Sequence, residues 1–257
     1  MPHAIIERDG HLMTITMNRP QRMNALSGEM LIRMFDAYEA ASRDPEVRCI
    51  LVTGAGGNFC SGADLSDPAA TFDLSAVSPA KFRAAAIEFP AFRVRKLVIA
   101  AVNGHAIGLG MTLAMHCDLR LFAREGKYGI VQVRRGAMPD AYSHWTVLRA
   151  VGLARAAELL LTGKTYTGDE IEALGVASRV LPAAEVLPAA LALARDVAVN
   201  AAPLSVAVSK RLLWEAPMLT PGQVEEKETQ LHLHLLSRPD AIEGPVAFVE
   251  KRRPEWK

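Results

Sequence analysis

Two apolar stretches run straight into glycine-rich loops: "RCILVTGAGGNFCSG" over residues 48–62 and "KLVIAAVNGHAIGLG" over residues 96–110. Each reads as a buried strand followed by a loop with few side chains. Glycine suits positions where the backbone turns tightly or must come close to something else. Between and after these strands the apolar spacing turns helical, and strands alternating with helices define an α/β core of repeated βα units.

The rest of the chain fits that plan. In "HLMTITMN", Met13, Ile15 and Met17 alternate with Thr14 and Thr16, the period of a half-buried strand. "NRPQRMNALS" is a loop that ends on Ser27, a helix cap, and Leu31, Met34, Phe35 and Tyr38 follow at helical spacing, with Pro45 just past the end. "DLRLFA" is a further strand. Residues 66–80 read as a mobile connection and residues 80–95 as a helix. From residue 183 strand signals stop, and helices are expected at 183–201, 203–216 and 221–236, with a fourth in the tail. This divides the chain into a core, 1–195, and a C-terminal helical region, 196–257, whose spare apolar faces suggest an assembly surface.

Composition excludes several functions. Half of the 257 residues are hydrophobic, enough for a core without disulfide or metal staples. The net charge is +1 and no run of Lys or Arg forms a stripe, which argues against a nucleic-acid or anionic-membrane surface but leaves room for a local phosphate pocket. Cys49, Cys60 and Cys117 are scattered and odd in number, as free thiols in a reducing compartment are. Charged residues at Glu7, Arg8 and Asp9 interrupt the N-terminus before any secretory pattern develops, and no apolar run is long enough to span a bilayer. A cytoplasmic protein is expected.

Neither glycine loop is a nucleotide fingerprint, since one lacks the Lys-Ser/Thr ending and the other the dinucleotide spacing. There is no HExxH and no GxSxG, and His232 and His234 are two apart on a helix, so they point away from each other. Two readings remain. The loops are tight turns packed for shape, or their N–H groups converge on one oxygen as in an oxyanion hole. Composition and spacing leave both open.

Five segments in order, "NRPQRMNALS", "CILVTGAGGNFCSGADL", "KLVIAAVNGHAIGLGMTLAMHCDLRLFA", "RAAELLLTGKTYTGDEIEALGVASRVLP" and "VAFVEKRRPEW", resemble the crotonase superfamily of enoyl-CoA hydratases and isomerases over nearly the whole chain. The resemblance implies a spiral core of ββα units, a C-terminal helical trimerisation region (as a homotrimer or a dimer of trimers) and an acyl-CoA thioester as ligand. It implies no metal or redox cofactor, because the thioester is its own electron sink. It assigns the two oxyanion donors to the N–H groups of Ala63 and Leu109. Coenzyme A contacts fall on Arg22, Met23 and Ala25, on Ser61, Asp64 and Leu65, and on Phe248 and Lys251, the last two reaching a neighbouring subunit's ligand. Arg22 and Lys251 read equally as solvated charges, and Asp64 as a residue that fixes its loop.

The pattern breaks at the acid–base groups. The two Glu positions of the family's hydratases match Thr112 and Gln132. A hydroxyl and an amide orient water but take no proton near neutral pH, so ordinary two-carboxylate hydration is doubtful. Asp140 is the replacement candidate. It matches the acid of dienoyl-CoA isomerases and the nucleophile of chlorobenzoyl-CoA dehalogenases, although the dehalogenase's His position is Phe89 here. Asp140 reads equally as the N-cap of the helix that "AYSHWTVL" begins. Tyr142 and His144 follow within a turn and suggest a proton relay, with a plain surface or core histidine as the alternative for His144. His116, one turn beyond Thr112, reads as a buried, satisfied histidine. Trp145, Phe72 and Phe82 are candidates for the acyl pocket or for the core. The chain is thus expected to stabilise a thioester enolate, with two rivals: a non-catalytic acyl-CoA binding protein, and a hydrolase of C–C bonds in cyclic diketones or oxo-acyl-CoA. A weaker possibility is slow hydration by water held between Thr112 and Gln132.

Overall fold

The computed structural model describes residues 1–67 and 87–257. A turn at Gly10 folds β1 (Ala4–Asp9) antiparallel onto β2 (Leu12–Met17). The later strands of this sheet, β3 (Cys49–Gly54), β4 (Leu97–Val102), β6 (Leu119–Ala123) and β8 (Arg179–Leu181), add in parallel in the order β1-β2-β3-β4-β6-β8. A second, two-stranded parallel ladder pairs β5 (Ala106–Ile107) with β7 (Tyr128–Gly129).

Parallel neighbours need long crossovers. The first is α1 (Gly28–Arg43), capped by Ser27, whose hydroxyl accepts from the Met30 N–H. The others among the described residues include α2 (Leu109–Met115), α3 (Ser143–Leu161) and α4 (Gly168–Ala173), the last opened by a Thr167–Glu170 capping box.

The central strands are buried on both faces, which explains their unbroken apolar sequence. Ile50, Val52, Val98 and Val102 join Met30, Met34 and Tyr38 of α1 in one core. Cys49, Leu51, Ile99 and Leu121 face the other way, onto Val186, Ala190, Ala194 and Ala198 of α5 (Ala183–Asn200). Those four recur every fourth residue, and the three alanines let the helix lie close to the sheet. Each fully buried Leu, Ile, Val or Met contributes about 1.5–3 kcal/mol.

Helix α5 runs without interruption through residue 195, so the expected division there falls inside a helix that packs on the sheet. Beyond it come α6 (Pro203–Glu215), α7 (Pro221–Leu236) and α8 (Asp240–Glu250). Lys210 of α6 fastens this region to the core: its ammonium pairs with Asp118 at 2.7 Å and donates to the carbonyls of Ala91 and Lys96, both at 2.9 Å. No single helix among the described residues is long and apolar enough to cross a membrane.

Residues 87–95 carry no α-helix but a short 3-10 turn, Ala91–Arg93, after Pro90. The remainder of the helix expected at 80–95, most of the connection expected at 66–80, and Phe72 and Phe82 lie outside the described residues.

Candidate active site

The two glycine-rich loops meet. Phe59 and Cys60 donate their N–H groups to the His105 carbonyl at 3.1 and 3.0 Å, and Ile107 returns a bond to the Cys60 carbonyl at 3.0 Å. A parallel bridge joins Leu26 to Ala63 and uses the groups on either side of Ala63, with Leu26 N–H donating to the Gly62 carbonyl at 2.8 Å. The Ala63 N–H therefore faces away from that ladder. Gly62 has φ +92, and a Cβ there would stand 2.7 Å from the Ile107 carbonyl and 3.4 Å from the Leu109 nitrogen.

Gly108, at φ 56 and ψ −124, turns the chain into α2 while its N–H donates to the Gly129 carbonyl at 2.7 Å. Leu109 is the first residue of that helix and has no acceptor within it. Gly110 lies so close to Cys60 that a Cβ would fall 2.3 Å from the Cys60 carbonyl. Among the described residues neither the Ala63 N–H nor the Leu109 N–H donates a hydrogen bond. Unpaired backbone donors that converge on one point are what a developing oxyanion needs. Cys60, between the loops, is no nucleophile: burial pushes its thiol up to about 12.

A polar frame that the sequence did not reveal holds the neighbouring loop. Arg19 donates to the Ala25 carbonyl at 2.7 Å and to Asp64 at 2.8 Å, and this bond brings the Asp64 carboxyl down to about 2. Fully buried Asn24 donates to the carbonyls of Ala55 and Asn58 and accepts from the Arg19 N–H. Met23 and Asn24 both have left-handed backbone, at φ 48 and 55. Ser61 donates its N–H to the Met23 carbonyl and its hydroxyl to the Arg22 carbonyl. The candidates Arg22, Met23, Ala25, Ser61, Asp64 and Leu65 are thereby gathered into one surface, with Ala25 buried and Arg22, Met23 and Leu65 exposed. Phe248 and Lys251 lie apart at the end of α8, both exposed.

Thr112 is fully buried, and its hydroxyl turns back to donate to the Gly108 carbonyl at 3.3 Å. Gln132 begins a 3-10 turn, Gln132–Arg135, just after β7. Val131 adjoins Gly108, 4.0 Å from the position of a Cβ there. Gln132 lies near enough to the Asp140 carboxyl to favour its charged form. Small steps thus lead from Leu109 through Gly108, Val131 and Gln132 to Asp140. Burial raises the Asp140 carboxyl above its usual value, against the lowering effect of its bonds to its own backbone and to Gln132. Gln132 Oε1 is buried with no hydrogen-bond partner among the described residues.

The expectation that Asp140 caps the next helix is not met. Ala141 and Tyr142, at φ 50 and 63, intervene, and α3 starts at Ser143 with Tyr142 as its cap and no side-chain cap bond. It is the Asp140 carbonyl, and not the carboxylate, that accepts from Ser143. His144 is exposed and makes no bond to Asp140, because the left-handed pair sets the helix off in another direction. Tyr142 and Trp145 pack against Phe92, with ring centroids 5.5 and 4.9 Å away. His116, 1% exposed, donates from Nε2 to the Ala141 carbonyl at 2.7 Å, and burial lowers its pKa to about 4.

Fold and site together define an α/β protein in which two glycine-rich loops, distant in sequence, meet through their backbones. Residues 7–257 match the family model described as enoyl-CoA hydratase/isomerase. The sequence is 34% identical to enoyl-CoA hydratase EchA19 of Mycobacterium tuberculosis, covering 100% of this chain and 97% of that protein. It is 32% identical to the 2,3-dehydroadipyl-CoA hydratase of Escherichia coli, covering 100% and 99%. The fold superimposes on a probable enoyl-CoA hydratase/isomerase from Mycobacterium abscessus with a TM-score of 0.93 at 46% identity, covering 99% and 98% of the two chains. The chain belongs to the enoyl-CoA hydratase/isomerase family, within the crotonase superfamily, and is an enzyme of that family.

Proposed function

We propose that the enzyme acts on an unsaturated acyl-CoA thioester, holding its carbonyl oxygen between the N–H groups of Ala63 and Leu109 and moving protons along the acyl chain with Asp140. The observation that carries this reading is the close approach of Gly62, the neighbour of Ala63, to the Leu109 nitrogen, together with the unpaired N–H groups of Ala63 and Leu109. As an α-proton of a 3-enoyl thioester leaves for Asp140, its electron pair flows to the thioester oxygen, and the resulting enolate gains more from the two donors than the ground state does. One such donor is worth about 3–4 kcal/mol. Asp140 then returns the proton elsewhere on the conjugated chain. Its raised pKa brings it nearer a working pH, as proton transfer in both directions requires.

The surface around Arg22, Met23, Ala25, Ser61, Asp64 and Leu65 receives the coenzyme. The exposure of Phe248 and Lys251 suits a role toward a neighbouring subunit's ligand, and exposed Leu213, Leu233 and Leu236 on α6 and α7 suit a homotrimer or a dimer of trimers. The same reading needs no metal or redox cofactor and a cytoplasmic setting.

The test is exchange of the α-protons of butyryl-CoA in D2O, which needs only enolisation, alongside turnover of enoyl-, dienoyl- and 3-oxoacyl-CoA panels. Exchange that Asp140→Asn abolishes supports the reading. Acyl-CoA that binds and is recovered without exchange makes the chain a binding protein, and release of a ring-opened acid from a cyclic diketone makes it a C–C hydrolase.

A further inference from the structure

The backbone that follows Asp140 is held in a conformation L-residues seldom adopt. Ala141 and Tyr142 both have positive φ, at 50 and 63. Two consecutive non-glycine residues in this region persist only where surrounding groups enforce them. Ser143 does so from one side, donating its N–H and hydroxyl to the Asp140 carbonyl. From the other side the enforcing group is His116. Its Nε2 lies 2.7 Å from the Ala141 carbonyl oxygen, and since a carbonyl only accepts, Nε2 carries the proton. Nδ1 then holds a lone pair, buried and with no partner among the described residues. Phe92 stands edge-on to both the imidazole and the Tyr142 ring, at 5.5 Å each, and packs the turn from outside.

His116 is also the C-cap of α2, the helix whose first residue is Leu109. One short rod therefore offers an unpaired amide at its start and grips the Asp140 turn at its end.

We propose that His116 is a positioning residue: its Nε2–H bond to the Ala141 carbonyl holds the Ala141–Tyr142 turn in the conformation that presents the Asp140 carboxyl to the acyl chain. This rests on the reading of Asp140 as the acid–base group. His116 touches no reacting atom. It sets where the carboxyl stands relative to the oxyanion donors, and a displacement of about 1 Å at that distance from the chemistry is enough to cost a hundredfold in rate.

The experiment compares His116→Leu, which fills the space without a donor, with His116→Gln, whose amide nitrogen reaches the Nε2 position. The readouts are kcat and KM with whichever acyl-CoA of the panel the enzyme turns over, and the rate of butyryl-CoA α-proton exchange. Expected for His116→Leu is a fall in kcat and in exchange of about tenfold to a hundredfold with KM within about twofold of wild type. His116→Gln is expected to recover most of the loss. Unchanged kcat in folded His116→Leu overturns the proposal, as does equal impairment of the Leu and Gln variants, which is the result for mere packing. Should His116→Leu not fold, His116→Met, which also lacks a donor, takes its place; it is expected to lower kcat at constant KM, and an unchanged kcat there overturns the proposal. Asp140→Asn, run in parallel, separates the two levels. If it leaves turnover intact, the acid–base reading falls and takes this one with it. If it abolishes turnover while His116→Leu does not reduce it, only the positioning role falls.

Discussion

Gly62 backs directly onto Leu109. The space a side chain at residue 62 would occupy is taken by the Ile107 carbonyl and the Leu109 amide, so the loop after β3 and the loop after β4 touch through bare backbone. An atom inserted there must push the two loops apart.

Gly62→Ala adds a Cβ at φ +92 and 2.7 Å from a backbone oxygen that has little freedom to move. The expected cost is about 1–3 kcal/mol from the backbone strain, with the clash in addition. Gly57→Ala is the control, because Gly57 also has positive φ, at 78, but nothing lies within 4 Å of its added Cβ. Thermal unfolding of both variants and calorimetric titration with butyryl-CoA check this. Only Gly62→Ala is expected to weaken binding.

Asp140→Asn is expected to lower turnover by about 10²–10⁴-fold and to leave acyl-CoA affinity nearly unchanged. It also alters stability in a pH-dependent way. Burial raises the Asp140 pKa above its ordinary value of 3.8, so the folded protein holds that proton more tightly than the unfolded chain. Asp140's contribution to stability is complete below pH 3.8 and is lost as the pH rises through the raised value. An amide does not titrate, so the variant gains on the wild type across that window and then runs parallel to it. Denaturant melts at a series of pH values measure this.

Gln132→Glu replaces a donor to Asp140 by a second carboxyl group. Like charges at one site resist joint ionisation, which raises the pKa of the pair. The acidic limb of the turnover–pH profile is expected to move up by about one unit or more. An unmoved limb means that the titrating group governing turnover is not Asp140.

Lys210→Met removes the cation beside Asp118, whose side chain is 8% exposed. Asp118 keeps its bonds from the Val98 N–H and the Trp214 indole but loses its counter-charge. Breaking a buried pair from one side costs about 3–5 kcal/mol. Lys210→Met with Asp118→Asn is expected to recover part of that loss, since no uncompensated charge is left. Urea unfolding of the single and double variants gives the coupling.

Much of the chain was legible because its signals are local. Every residue of β3 is apolar or small, Ser27 caps the helix it precedes, and the tail helices begin and end within a residue or so of their expected bounds. The part played by Arg19 and Asn24 was hidden, since a polar side chain in a loop shows no sign of the carbonyls it will meet.

By itself the sequence determined the order of elements, the α/β class and the candidate residues, because alternation, helical spacing and caps are properties of neighbours along the chain. Tertiary structure alone decided that the Gly62 and Leu109 loops meet, that Gln132 comes near Asp140, and that Asp140 is not a cap. The physical reason is that positive φ at Ala141 and Tyr142 has no local signature. It is stabilised by a bond from His116, a partner on another helix, and the position of such a partner exists only once the chain has folded.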